Sequence, residues 1–265
     1  MTMAHPNNAN PPKETAMNIQ DSTVLVTGAN RGIGKAFADA LLDRGARKVY
    51  AAVRDVATIT DPRLAPIQLD VTDPGRVAAV ARELDDIQVV VNNAGILHVA
   101  VPLSASLENA RVELTTNYLS LISMTQAFAP VLERNGGGAF INVLSVFSWV
   151  ATPLITTYSA SKAAAWSFTN AARIELRRQG TQVVGVHAGP VDTDMTAAIE
   201  LEKIPPATVA TSALDALEAD KPEAVVDDYS RAVKAGLSDD QDALYPQIER
   251  EFLALTRTTA TPGHR

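Results

Sequence analysis

Residues 156–168 read TTYSASKAAAWSF, which sets Tyr158 four positions ahead of Lys162. On a helix that spacing stacks the two side chains on one face. An isolated phenol titrates near roughly 10 and is a poor base at neutral pH, but an adjacent ammonium favours its ionised form. Tyrosine and lysine at this spacing also occur on ordinary solvated helix faces, so the pair needs a further group. Ser145, thirteen residues before Tyr158, closes the strand-like run GAFINVLS at 138–145, where a hydroxyl can meet the phenol. Hydroxyl, phenol and ammonium converging on one point can exchange a proton with a substrate oxygen.

A second constellation lies near the start. The run TVLVTG (23–28) leads directly into TGANRGIGKAFADALL, with glycines at 28, 32 and 34 and an amphipathic helix behind them. Glycine there lets the backbone turn tightly and approach a pyrophosphate, whose charge is met by the free N–H groups and positive end of the helix. Such a trio alone is weak; its place after the first strand of an alternating chain gives it weight. At the end of the second strand, YAAVRDV carries Val53 where an NAD-selective site usually places a carboxylate on the ribose 2′-hydroxyl. Arg54 follows, and Arg31 can converge on the same point, so two guanidiniums around a 2′-phosphate favour NADP over NAD. Asp55 keeps a carboxylate within one or two residues of that register.

The elements that must position these groups alternate along the chain. Candidate strands are 23–28, 48–53, 66–71, 87–94, 138–145 and 181–189, all but the third nearly continuous apolar runs, as expected of strands buried on both faces. Helical patterns fill 32–44, 73–84, 104–134 and 157–179. The fold class predicted is α/β: a doubly wound parallel sheet, or Rossmann fold, of strand order 3-2-1-4-5-6-7 between two helical layers. Residues 1–20, rich in Asn and Pro, are expected to be a disordered leader before a single catalytic domain at 21–265, with Met17 an alternative start. The segment 192–220 is expected to form a substrate lid, and 223–228 a last short strand before a helical tail.

Length and composition narrow the function. A chain of 265 residues, 46% apolar, fits one α/β domain. A net charge of -7 argues against nucleic-acid binding, which draws on clustered Lys and Arg. There is no cysteine, and the four histidines are scattered, so no metal site is predicted. No run is long enough for a membrane span, and no signal peptide is evident, so the expected location is cytoplasmic.

TGANRGIG (27–34), NNAG (92–95), Asn117, Ser145 and Tyr158 with Lys162 stand in the order and spacing of the short-chain dehydrogenase/reductase family, which the chain resembles from residue 22 to about 195. The resemblance implies an NADP-dependent alcohol dehydrogenase or carbonyl reductase. Tyr158 would be the general acid in reduction and the base in reverse, and Ser145 would hold the substrate oxygen. Lys162 would bind the nicotinamide ribose and lower the phenol pKa, and the Asn117 backbone would hold a relay water. Cofactor contacts would come from Gly28, Asn30, Arg31, Gly32, Ile33 and Gly34, from Arg54, Asp70 and Val71 at the adenine end, and from Asn92, Ala94 and Gly95. Gly189, Val191 and Thr193 would meet the carboxamide, although HAGPVDTDM has Ala188 where the family usually has proline. The implied assembly is a homo-oligomer, tetramer or dimer, using the helices at 104–134 and 157–179.

Leu97, His98, Phe147, Trp149 and Met195 are candidate pocket residues, pointing to an apolar or neutral carbonyl or alcohol as the small-molecule partner. A catalytically silent nucleotide sensor on the same fold is the alternative, and retention of Tyr158 and Lys162 argues against it. Epimerase or dehydratase chemistry would need a larger C-terminal domain.

Overall fold

In the computed structural model, which describes residues 17–197 and 200–259, the β-branched runs become strands. They are β1 (Thr23–Thr27), β2 (Lys48–Val53), β3 (Ala65–Gln68), β4 (Val89–Asn92), β5 (Gly138–Val143), β6 (Thr181–His187) and β7 (Glu223–Val225). All pair in parallel in the order β3-β2-β1-β4-β5-β6-β7. Helices α1 (Gly32–Asp43), α2 (Pro74–Glu83), α3 (Leu107–Leu114), α4 (Ser120–Arg134) and α5 (Thr156–Leu176) are followed by α6 (Pro206–Glu218), α7 (Asp228–Ala235) and α8 (Tyr245–Thr259).

Alternate strand residues face opposite sides of a sheet, so burying both sides demands the unbroken apolar runs seen in the sequence. On one face Phe37 and Leu41 of α1 and Leu214 and Leu217 of α6 cover Val24, Val26, Val89 and Val91. On the other, Val77 and Val80 of α2, Phe128 and Leu132 of α4 and Leu176 of α5 cover Leu25, Val90 and Phe140. The chain runs outward from β1 to β3 and then restarts with β4 on the other side of β1. The carboxyl ends of β1 and β4 therefore part around a crevice, where ligands bind in sheets of this type.

Three expectations change. Residues 17–20 belong to the fold: Ile19 is fully buried in the core and the Met17 amide donates to Gln182 Oε1 at 3.0 Å, while the rest of the expected leader lies outside the described residues. The segment 192–220 divides, because Val209, Ala210, Ala213, Leu214 and Leu217 turn 206–218 into a layer helix packed on α1, leaving only its first part over the strand ends. The helix at 104–134 is interrupted: a π-helical turn at Thr115–Leu119 joins α3 to α4, so one extra residue is accommodated around Asn117.

Candidate functional site

A cleft of about 660 Å³ opens along the carboxyl ends of the strands. Its first wall is the turn from β1 into α1. Gly28 and Gly32 lie at φ +65 and +54, the left-handed region that favours glycine. At Gly34 a Cβ would stand 2.2 Å from the Gly28 carbonyl oxygen and 2.5 Å from Asn93 Nδ2, so the turn closes only without a side chain there. Arg31 caps α1 in an extended conformation with no side-chain cap bond, leaving first-turn amides available to an anion. Gly28, Asn30, Arg31, Gly32 and Ile33 all line the cleft. Behind them, Thr27 Oγ1 accepts from the amides of Asn93 (2.9 Å) and Ala94 (3.0 Å), and Asn93 Nδ2 donates to the Thr27 carbonyl at 2.9 Å. These bonds hold Ala94 and Gly95 against the glycine turn. Asn92 instead donates to Asn142 Oδ1 at 2.9 Å inside the sheet and does not reach the cleft.

At the β2 end of the cleft, Val53 finishes the strand and Arg54 lines the wall beside it. The Asp55 carboxyl caps the turn at 56–58, accepting from the Ala57 amide at 3.0 Å. Asp70 Oδ1 accepts from the Thr72 hydroxyl (2.7 Å) and amide (2.9 Å); these bonds, with Arg54 nearby, hold its carboxyl below the usual range. Val71 follows in the wall. Arg31 Nη1 pairs with Asp194 at 2.6 Å, linking the glycine turn to the segment beyond β6. Gly189, Val191 and Thr193 lie on that segment and line the cleft; the Thr193 methyl would be 3.1 Å from a Cβ on Gly32. The Gly189 amide donates to Asp227 Oδ2 at 2.9 Å.

At the other end, Ser145, Tyr158 and Lys162 come together, each buried. Ser145 caps a short turn at 146–148, and its Oγ accepts from the Phe147 amide at 3.2 Å. Burial pushes the Tyr158 phenol up to about 12; the Ser145 hydroxyl works against that rise and Glu113 adds to it. The Lys162 ammonium stands 5.8 Å from the phenol ring centre, donates to the Val143 carbonyl at 2.8 Å, and is pushed down to about 8 by burial. The helix spacing brings the ammonium to the phenol's side, but burial raises the phenol pKa where a lowering by the lysine was expected. Asn117 brackets Ile96: its Oδ1 accepts from the Ile96 amide and its Nδ2 donates to the Ile96 carbonyl, both at 2.9 Å, with a further 2.9 Å bond to Ser161 Oγ. Beneath, a cavity of about 10 Å³, lined by Asn92, Asn117, Asn142 and Lys162 among others, has room for one water. Gly95 lies close against Asn117, where an added Cβ would stand 3.2 Å from Oδ1.

Of the pocket candidates, Leu97, Phe147 and Met195 line the cleft, with Ile96, Val112 and Ile155. Trp149 and His98 do not. Trp149 stacks on His187 at 3.9 Å between ring centres, and His98 backs onto Glu113, whose Oε1 accepts from its amide at 2.6 Å. Glu113 is fully buried and was missed, although it sits four residues before Asn117 on the same helix side. Thr27 was also missed, because a threonine inside an apolar run reads only as a strand former. Among the described residues, no helix is long and apolar enough to cross a membrane, and no group of three or more His, Asp or Glu is placed to hold a metal.

A family model described as short chain dehydrogenase matches residues 22–204. A sorbitol dehydrogenase of Cereibacter sphaeroides is 34% identical over 186 residues, covering 66% of this chain and 73% of the relative. A 3-oxoacyl-[acyl-carrier-protein] reductase of Vibrio cholerae is 32% identical over 196 residues, covering 71% and 80%. The crystal structure of a short chain dehydrogenase from Burkholderia cenocepacia J2315, in complex with NADP, superposes with a TM-score of 0.84 at 39% identity, covering 88% of this chain and 99% of that one.

Proposed function

This chain belongs to the short-chain dehydrogenase/reductase family, and on that premise we propose that it interconverts an apolar, neutral carbonyl compound and the matching alcohol using NADP(H). The observation that carries the reading is the closed end of the cleft, where a buried hydroxyl, phenol and ammonium face the same space that the glycine turn opens at its other end.

When bound, the cofactor supplies or accepts the hydride. Tyr158, protonated at neutral pH, delivers a proton to the substrate oxygen in reduction. The Ser145 Oγ already accepts from the Phe147 amide, so its own hydrogen is free to donate to the same oxygen and hold it in place. One of the three Lys162 donors goes to Val143, leaving two for ribose hydroxyls, and its charge assists ionisation of the phenol in the oxidative direction. Asn117 fixes the Ile96 backbone beside them and so positions the substrate wall.

Preference for NADP is supported by Val53 in place of a carboxylate, by Arg31 and Arg54 in the cleft, and by the engagement of Asp55 in its own turn. Ile96, Leu97, Val112, Phe147, Ile155 and Met195 line the same cleft as Tyr158, which supports a neutral, apolar substrate. Leu107 and Leu114 on α3 and Ile174 on α5 stay exposed, which supports a dimer or tetramer joined through these helices.

The test is to follow NADPH and NADH consumption separately against a panel of ketones and aldehydes. NADPH should be used at least about tenfold better, as the loss of charge-assisted bonds to a 2′-phosphate implies. Tyr158→Phe should lose at least about a hundredfold in turnover while still binding NADPH. Equal use of NADH removes the arginine argument, and undiminished turnover by Tyr158→Phe removes the mechanism.

A further inference from the structure

Behind Ser145 lies a fully buried imidazole to which the reaction assigns no part. His187 is the last residue of β6. Its Nδ1 faces the Ser145 main-chain carbonyl at 3.1 Å, its ring lies flat on Trp149, and its Nε2 faces Glu223 Oε1 at 3.7 Å, too far for a hydrogen bond. Burial pushes the imidazole down to about 4, so at neutral pH it carries one proton. A carbonyl oxygen accepts only, so the Nδ1 position must hold that proton if the contact is a bond. Glu223 does not take it on Nε2, because the oxygen facing that nitrogen lies at 3.7 Å, outside hydrogen-bond reach, while its other oxygen takes the Lys234 ammonium. Arg173 is the remaining charged group near the ring.

We infer that His187 is a positioning residue for Ser145: as the Nδ1–H tautomer it holds the serine's main-chain carbonyl, and with it the direction of the hydroxyl. The inference rests on the proposed role of Ser145. Three observations carry it. The Ser145 backbone is extended, and the next amide, Val146, donates to the Ala188 carbonyl at 3.0 Å, so one side of this peptide is held by the chain after β6 and its carbonyl side by the bonds made there. Its carbonyl takes the Ser148 amide at 3.0 Å from its own turn, and His187 supplies a second donor from a different element. His187 is itself fixed, by the Trp149 stack and by the Val226 amide, which donates to its carbonyl at 2.9 Å. The end of β7 thereby reaches the serine through one ring.

His187→Phe keeps a flat ring against Trp149 and removes the donor; His187→Asn puts an amide nitrogen near the Nδ1 place. His187→Phe should lower kcat about tenfold, the effect of one lost hydrogen bond, with the KM for NADPH unchanged, and His187→Asn should recover most of that loss. Wild-type turnover under the same conditions tests the enzyme reading separately. Nitrogen-15 NMR of the resting protein should show the proton on Nδ1 of His187 whether or not a substrate has been found. A proton on Nε2 overturns the inference. So does a His187→Phe variant that is less stable yet turns over normally, since the ring would then be packing only, or a His187→Asn variant no better than His187→Phe.

Discussion

Replacing Lys162 with methionine should make the protein more stable while ending its turnover. The lysine side chain is only 5% exposed, so solvent does little to screen its charge. Burial lowers its pKa from 10.5 to about 8, and the difference, 10.5 − 8, corresponds to about 3 kcal/mol of cost to the folded state when the amine is charged. Methionine fills a similar volume without charge and leaves the Val143 carbonyl without its donor, a loss of about 1 kcal/mol. The net gain is about 2 kcal/mol, or roughly 4–8 °C in Tm for a chain of this size. The sign with pH is specific. The folded pKa lies below the unfolded one, so the cost is full below about 8, declines as pH rises from there toward 10.5, and is gone above it. Urea unfolding of both proteins at pH 7 and at pH 9.5 should therefore show a stability gap that narrows by about 2 kcal/mol at the higher pH. A variant less stable than wild type at pH 7, or a gap unchanged between the two, would refute the reasoning. The accompanying loss of activity marks the lysine as a group kept for chemistry at the expense of stability.

Gly34→Ala should weaken NADPH binding at least about tenfold in a fluorescence titration and lower Tm, because both atoms it would strike are held by the glycine turn and the Asn93 bonds. Unchanged affinity would show that the turn has slack. Glu113→Gln keeps an acceptor for the His98 amide and removes the charge that raises the Tyr158 pKa. The pH limb on which alcohol oxidation rises should then move to lower pH, read from kcat/KM against pH; an unmoved limb would disconnect Glu113 from the phenol. Asp194→Asn should leave Tm within about 1 °C, since the Arg31 pair is exposed on both sides, yet free Arg31 and improve the KM for NADPH a few-fold. A higher KM would place Asp194 among the groups that hold the cofactor.

The sheet was legible because burial on two faces leaves an unbroken apolar run that few other structures require. The glycine turn was legible for a similar reason, since Gly28 and Gly32 sit where a side chain is strained and Gly34 where it collides. Ser145, Tyr158 and Lys162 could be named from type and spacing, but their electrostatics could not. Adjacency along a helix is visible in sequence, whereas burial, which here governs both pKa values, is not. Helix α6 hid behind the double proline at 205–206 and an alanine-rich stretch whose small buried residues mimic a connection. A lone histidine near the end of a strand likewise gives no sign of the tryptophan and serine it will meet.

The π-helical turn at Thr115–Leu119 makes chain length a variable in its own right. It carries one residue more than a straight helix needs. Removing one residue there would heal the hydrogen-bond ladder and, at about 100° per residue, swing everything before it around the axis relative to α4. Glu113 would leave His98, and the stretch holding Ile96 would lose its register with α5. A substitution can spoil a site one group at a time. In this segment a single deletion would yield a more regular helix and a dismantled pocket, so the segment should tolerate changes of residue type far better than changes of length.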